Sequence, residues 1–300
     1  MKAMILAAGL GTRLRPLTNE KPKALIPVAN QPVIARVIKY LKAHGVSEIV
    51  VNAHHHSKQI VNYLDAGKPF GVNIEVRVER EILGTGGGIK NTFGFWDSEP
   101  FVVVNADVLT DIDLSRAYAH HKASGALVTL ILHDCEPFNQ IHTEAATERI
   151  TKIAKKAEPG ALAFTGLHIM DPELLSYIPA QGYFDIIECY RELINRGNPP
   201  AAFVSKGHYW RDIGSIDDYI QANKELAHHS FEIAENSRVD QSVKFRQWAA
   251  VGPNARLEAN VEVQRSILWE DVRVSKGVKI VDSIVTSRKR VESDLISQIY

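Results

Sequence analysis

Cysteine is scarce in this chain. Cys135 and Cys189 are too few for a disulfide framework and read as reduced core thiols. A surplus of charge is also lacking. Lys plus Arg and Asp plus Glu number 35 each in 300 residues, so no global field draws the chain to nucleic acid or to an anionic membrane. No apolar run approaches the ~18 residues of a membrane span. The opening MKAMILAAGL has too short an apolar run for a signal peptide and leads directly into Gly9, Gly11, Thr12 and Arg13. It reads as a buried first strand, and a cytoplasmic protein is expected. Hydrophobic residues at 45% and charged residues at 23% exclude a disordered chain.

Several catalytic patterns are missing as well. A dinucleotide fingerprint needs a third glycine where Leu14 stands, and no G-x-x-x-x-G-K-[ST] phosphate loop occurs. No H-E-x-x-H is present, and three consecutive histidines, His54 to His56, cannot all face one ion from a regular element. They read as a polar loop, and His120 with His121 as a solvated helix face. No Ser/His/Asp set has a recognisable motif around it.

What the chain does have is alternation. Apolar runs at 3–8, 48–53 and 101–105 read as buried strands, and stretches at 33–43, 57–66 and 114–123 as helices. Ser57 and Asp113 are candidate N-caps; Gly45, Gly67 and Gly125 are candidate stops. Such β-α-β order predicts a mainly parallel sheet with helices on both faces, and chemistry beyond the carboxyl ends of its strands.

After about Glu235 the helical spacing stops. Val251, Leu257 and Val263 stand six apart, and so do Leu268, Val274 and Ile280 after one step of five. A second series, Val261, Ile267, Val272, Val278 and Ile284, carries the same single slip. A six-residue period marks a parallel β-helix of a few turns, with a β-meander as the alternative. Residues 287–300 lose the period and read as a solvated cap or tail. The expected division is a catalytic domain at 1–232 and a short β-helix with tail at 233–300.

Directly after the first strand, AAGLGTRLRPLT places glycines where backbone N–H groups can converge on an anion. Thr12 adds a hydroxyl, Arg13 a rigid cationic fork, and Lys23 a second cation held between Pro22 and Pro27. Together they suit a polyphosphate. LGTGGGIKN at 83–91 leaves room for a flat base against backbone, with Glu79 or Glu81 as an added contact; the alternative is a glycine turn capping a helix from Ile89. Asp107 lies just beyond the apolar run 101–105, where a carboxylate calls for a cation such as Mg²⁺. Asp212, in YWRDIGS, would be its partner unless it caps a helix or pairs with Arg211.

The segments LAAGLGTRLRPLT and KPKALIPVANQPVI closely resemble the signature of the sugar-1-phosphate nucleotidylyltransferases, over roughly the first 230 residues. That resemblance implies a Rossmann-like α/β nucleotidyltransferase core followed by a left-handed parallel β-helix. It implies a nucleotide site at Leu6, Ala8, Gly9, Gly11, Thr12, Arg13, Lys23, Gly84 and Thr85, with Arg13 and Lys23 catalytic. Metal ligation would fall to Asp107 and Asp212, with Mg²⁺ as cofactor, and sugar contacts to Asn105, Glu158 and Gly166. The sugar half departs from the family pattern: Glu158–Pro159 lacks an intervening lysine, and FTGLHIM carries Thr165 and Gly166 in place of an Asn-Ala-Gly element.

The expected partners are a nucleoside triphosphate and a sugar 1-phosphate, with no nucleic acid and no membrane; the oligomeric state is left open, an exposed β-helix edge being the contact surface for a homo-oligomer. A sugar-1-phosphate oxygen would attack the α-phosphorus and expel pyrophosphate, needing alignment and charge compensation rather than a general base. The reading leans to guanylyl transfer onto mannose or heptose 1-phosphate, with uridylyl transfer to N-acetylmuramate 1-phosphate or another sugar phosphate as alternative. A nucleotide-sugar sensor without turnover is the rival from another class. A dinucleotide oxidoreductase fails at Leu14.

Overall fold

The structure, a computed structural model, describes residues 1–227 and 230–300. It forms two compact units. One comprises Met1–Leu10, Pro22–Ala24 and Ile34–Asp212; the other comprises Gly11–Lys21, Leu25–Val33 and Ile213–Tyr300.

In the first unit the apolar runs become strands: β1 (Lys2–Ala7), β2 (Glu48–Ala53), β3 (Asn73–Val78) and β4 (Phe101–Asn105). After β5 (Val108–Thr110) come β6 (Val128–His133), β7 (Ile141–Glu144), β8 (Arg149–Ile153), β9 (Ala163–Met170), β10 (Ala201–Val204) and β11 (Trp210–Asp212). Nine of these form one sheet in the order β3-β2-β1-β4-β9-β6-β10-β8-β7. The first four strands are parallel, and β9 runs antiparallel between β4 and β6. β1 lies between β2 and β4, so strand order reverses there and a crevice opens at the carboxyl ends. β5 and β11 pair as a separate ribbon, with Asp212 opposite Val108.

Helices α1 (Val33–Ala43), α2 (Ser57–Leu64), α3 (Gly84–Lys90), α4 (Leu114–Ser124), α5 (Ile186–Asn195) and α6 (Ile216–Leu226) follow the expected alternation. Asp113 caps α4 by accepting from the Arg116 N–H at 3.0 Å, and Gly125 ends it in the left-handed region. Ser57 is instead the first residue of α2, because His56 takes the cap position with left-handed backbone and no side-chain cap bond. α2 stops at Leu64, short of Ala66, where a 3-10 segment, Asp65–Phe70, begins. His121 is 2% exposed rather than solvated, and its Nδ1 lies 2.9 Å from Thr129 Oγ1; its α4 position faces the sheet.

The second unit contains the parallel coil. Arg238, Arg256, Arg273 and Arg290 stack in register, as do Val239, Leu257, Val274 and Val291 beside them. The hexad residues point inward: Val251, Leu257, Val263, Leu268, Val274 and Ile280 are all buried. The slip between Val263 and Leu268 has a local cause. Arg246 pairs with Gln264 and Ala249 with Ser266, so two residues on one coil oppose Arg265 alone on the next. Residues 287–300 are not a solvated tail. They form a further coil, pairing Arg290–Val291 with Arg273–Val274 and Leu295–Ile296 with Ile280–Val281. Val291 and Leu295 are buried, so the apolar rungs continue although their spacing has changed.

Candidate active site

At the reversal point of the sheet lies a pocket of about 250 Å³ lined by Leu6 of β1 with Ala8 and Gly9 after it, Asn52 from β2, and Asn105 at the end of β4 with Asp107 after it. Glu79, Ile82, Gly84 and Thr85 complete it. The structure thus brings together Leu6, Ala8, Gly9, Gly84 and Thr85, expected from sequence at a nucleotide site, with Asn105 and Asp107. Asn52 was not singled out from sequence; its one signal is a polar residue within an otherwise apolar strand.

Asn52 organises one wall. It is 2% exposed, and its Oδ1 accepts from the Ala7 N–H at 2.8 Å while its Nδ2 donates to Glu79 Oε1 at 2.7 Å. The second Glu79 oxygen accepts from the Leu83 N–H at 3.3 Å. Burial pushes the Glu79 carboxyl above its usual range, against the opposing bonds from Asn52 and Leu83. The histidine turn supports this wall, since His54 Nδ1 lies 3.0 Å from the Glu79 carbonyl oxygen.

The glycine run is helical, not a turn before Ile89. α3 begins at Gly84, and the missing side chains serve close packing. A Cβ on Gly84 or Gly87 would stand 2.7 Å from the carbonyl oxygen of Phe184 or of Gly182, and one on Gly88 would stand 2.7 Å from Asn52 Nδ2. The N–H groups of Gly86 and Gly87 both donate to the Phe184 carbonyl, at 2.8 and 3.2 Å, so they are committed within the protein. The Thr85 hydroxyl accepts from the Ile186 N–H at 3.0 Å and lies 3.2 Å from Asp185 Oδ1, pinning the start of α5. Of the predicted base loop, Gly84 and Thr85 face the pocket.

Lys23, Asp107 and Asp212 converge. The Lys23 ammonium donates to Asp107 Oδ2 and lies 3.7 Å from Asp212 Oδ1. All three side chains are partly shielded, at 16%, 24% and 29% exposure. Asp107 Oδ1 is buried and takes no hydrogen bond among the described residues. Such an oxygen is costly unless a cation or donor meets it. Among the described residues no three acidic, histidine or cysteine side chains form a ready-made cation cage. Two carboxylates do fit Mg²⁺, which fills its remaining positions with phosphate oxygens and water.

On the other side of β4, Gly166 in β9 has a φ of +80°, and a Cβ there would stand 2.8 Å from Asn105 Nδ2. Gly166 and Asn105 are therefore neighbours. Glu158 is elsewhere: it does not line this pocket, and its carboxylate meets His142 Nε2 at 2.7 Å and Lys152 Nζ at 2.6 Å.

The remaining signature residues, Gly11, Thr12 and Arg13, belong to the second unit. Gly11 is left-handed (φ +63°) and precedes a single 3-10 turn, Thr12–Leu14, in which Thr12 and Arg13 are exposed and Leu14 is buried. Lys23, ten positions on, belongs to the first unit.

Residues 2–229 match the nucleotidyl transferase family. The chain is 30% identical to a UTP–glucose-1-phosphate uridylyltransferase of Synechocystis, covering 97% of this chain and 89% of that protein. It is 29% identical to mannose-1-phosphate guanylyltransferase 1 of Arabidopsis thaliana, covering 95% and 86%. Among solved structures, one described as a glucose-1-phosphate thymidylyltransferase of Bacillus anthracis superposes with a TM-score of 0.68, at 25% identity over 76% of this chain and 96% of that one. With a sheet of this order, a pocket at its reversal point and the family match across three quarters of its length, the chain belongs to the nucleotidyl transferases.

Proposed function

We propose that this protein transfers a guanylyl group from GTP to a sugar 1-phosphate, mannose or heptose 1-phosphate being the acceptors favoured, and releases pyrophosphate. The observation that carries the base assignment is the buried Glu79 carboxylate in the pocket wall, held by Asn52. Guanine offers two adjacent donors, N1–H and the 2-amino group, to a carboxylate. Uracil offers one N–H flanked by two carbonyl oxygens, which a carboxylate repels. Uridylyl transfer remains the second reading because a uridylyltransferase is among the relatives at 30% identity.

The acceptor phosphate, with a second pKa of roughly 6, is mostly dianionic near neutrality and needs no base. Its oxygen forms a bond to the α-phosphorus as the bond to the bridging oxygen breaks, and the electron pair leaves with pyrophosphate. Lys23 offsets charge near the α-phosphate and Arg13 charge on the leaving group. Asp107 and Asp212 would hold Mg²⁺, which supplies further neutralisation of phosphate oxygens when bound. Asn105 and Gly166 take the sugar side. The catalytic domain is 1–232 and the β-helix 233–300, in keeping with the family match at 2–229. Two free thiols fit a cytoplasmic setting, and no helix among the described residues is long and apolar enough to cross a membrane.

Pyrophosphate release measured with GTP, UTP, CTP, dTTP and ATP against mannose, heptose and glucose 1-phosphates tests this reading. GTP is expected to lead, and Glu79→Gln to cut the GTP-to-UTP preference by about tenfold or more. Binding without release under every pairing would instead mark a sensor.

A further inference from the structure

The loop that carries Arg13 ends on an ion pair with the β-helix. Within the second unit, Gly11–Lys21 folds as two 3-10 turns, Thr12–Leu14 and Leu17–Asn19. Leu14 and Leu17 are buried, and Thr18 Oγ1 donates to the Gly11 carbonyl at 2.9 Å. At the far end, Lys21 Nζ donates to Glu270 Oε1 at 2.6 Å and lies 4.9 Å from the centre of the Trp269 ring.

Glu270 and Trp269 sit at a corner of the coil, just after the buried Leu268. Ser287 from the following coil donates its hydroxyl to the same Glu270 oxygen at 2.8 Å. Burial works against ionisation of Glu270, yet the hydrogen bond and charge of Lys21 hold its carboxyl below the usual range. The Trp269 indole donates to Tyr219 Oη at 2.8 Å, and Tyr219 donates to the Pro27 carbonyl at 2.8 Å. Asn30 donates to the Val251 carbonyl at 2.9 Å. Both stretches of the signature that flank Lys23, residues 11–21 and 25–33, are thus fastened to α6 and the coil.

A parallel coil needs inward apolar rungs and corner residues; nothing in its own folding calls for a lysine brought from position 21. A half-shielded pair with a cation–π contact is worth more than a solvated surface pair. Its effect falls on the 3-10 turns that precede it in the chain.

We propose that Glu270 is a positioning residue of the transfer reaction: through Lys21 it fixes the Gly11–Lys21 loop and so the place of Arg13. This rests on the reading that Arg13 offsets charge on pyrophosphate.

The test is Glu270→Gln in the full chain, with Lys21→Gln reporting from the other side. Expected are a kcat about tenfold lower, a raised KM for pyrophosphate in the reverse reaction and an unchanged KM for sugar 1-phosphate. In an Arg13→Ala background Glu270→Gln should add less than about twofold, since both act through one group. The rate of tryptic cleavage at Arg13–Leu14 should rise several-fold at an unchanged melting midpoint, a readout that requires no turnover. Unchanged cleavage, or kinetic losses additive with Arg13→Ala, would overturn the proposal. Faster cleavage in a protein that shows no transfer with any nucleotide would leave the strap standing and remove the catalytic reading beneath it.

Discussion

Lys23 reaches across 84 positions of sequence to donate to Asp107. Because Asp212 Oδ1 stands 3.7 Å from the same ammonium, the lysine shares the space between two carboxylates. A divalent cation drawn to those acids competes with it for their oxygens.

Lys23→Met should therefore have two opposite effects. Turnover should fall by about 10²–10³-fold through loss of charge compensation. Binding of Mn²⁺ to the nucleotide-free protein should tighten, because the carboxylates lose their internal counter-ion. Titration calorimetry with Mn²⁺ checks the second effect, and weaker binding in the variant would refute the competition.

Gly84→Ala sets two effects against each other. Alanine favours a helix over glycine by about 1 kcal/mol. Gly84, however, has a φ of +73°, and the new Cβ would lie 2.7 Å from the Phe184 carbonyl oxygen. A left-handed alanine and a backbone clash outweigh that gain, so a net loss of about 1–3 kcal/mol is expected. The urea midpoint should drop and the apparent affinity for nucleotide should fall with it.

Acid should destabilise the fold below pH 6.5. Burial lowers the His121 imidazole to about 4, with the neighbouring His120 adding to the effect, and burial lowers His168 to about 3. The unfolded chain takes up protons from pH 6.5 downward that the folded state refuses until near pH 4, so stability is full above pH 6.5 and declines below it. His121 contributes roughly 1–3 kcal/mol of that decline by pH 4. Melting midpoints from pH 7.5 to 4.5 should show the fall, and His121→Asn should flatten it while keeping a polar partner for Thr129.

Ending the chain after Thr286 should lower the melting midpoint by several degrees. The last coil contributes the buried Val291 and Leu295, which cover Val274 and Ile280 below them. It also carries Ser287, the hydroxyl partner of Glu270. A midpoint equal to that of the full chain would mean that the final coil carries no stability.

Much of the fold is legible in the sequence. Continuous apolar runs gave β1, β2 and β4, because strands covered on both faces need no alternation. The six-residue series revealed the coil, and its slip is the extra residue opposite Arg265. What escaped notice was set by tertiary context. His121 reads as polar, but its helix face packs on the sheet and Thr129 offers a partner. The four glycines of α3 read as an open loop for a base, with a turn as the alternative, since their helix exists only through close packing against residues 182–186 and Asn52. The last coil was missed because its apolar residues, Val291 and Leu295, depart from the earlier spacing. Within the site, Asp107 was legible as a carboxylate just beyond an apolar run, Lys23 as a cation between two prolines, and Asp212 through its place after a strand-like stretch. The role of Asn52 as the brace of Glu79 depends on β2 lying beside β1, which no local pattern encodes.

Register in the coil also limits how this chain can change length. Successive arginines in the outer row lie 18, 17 and 17 residues apart, at 238, 256, 273 and 290. A deletion of a few residues would turn every later inward valine toward water, whereas removing or duplicating one whole circuit would leave the rest of the ladder aligned. The solenoid can therefore lengthen or shorten only in quanta of about one circuit.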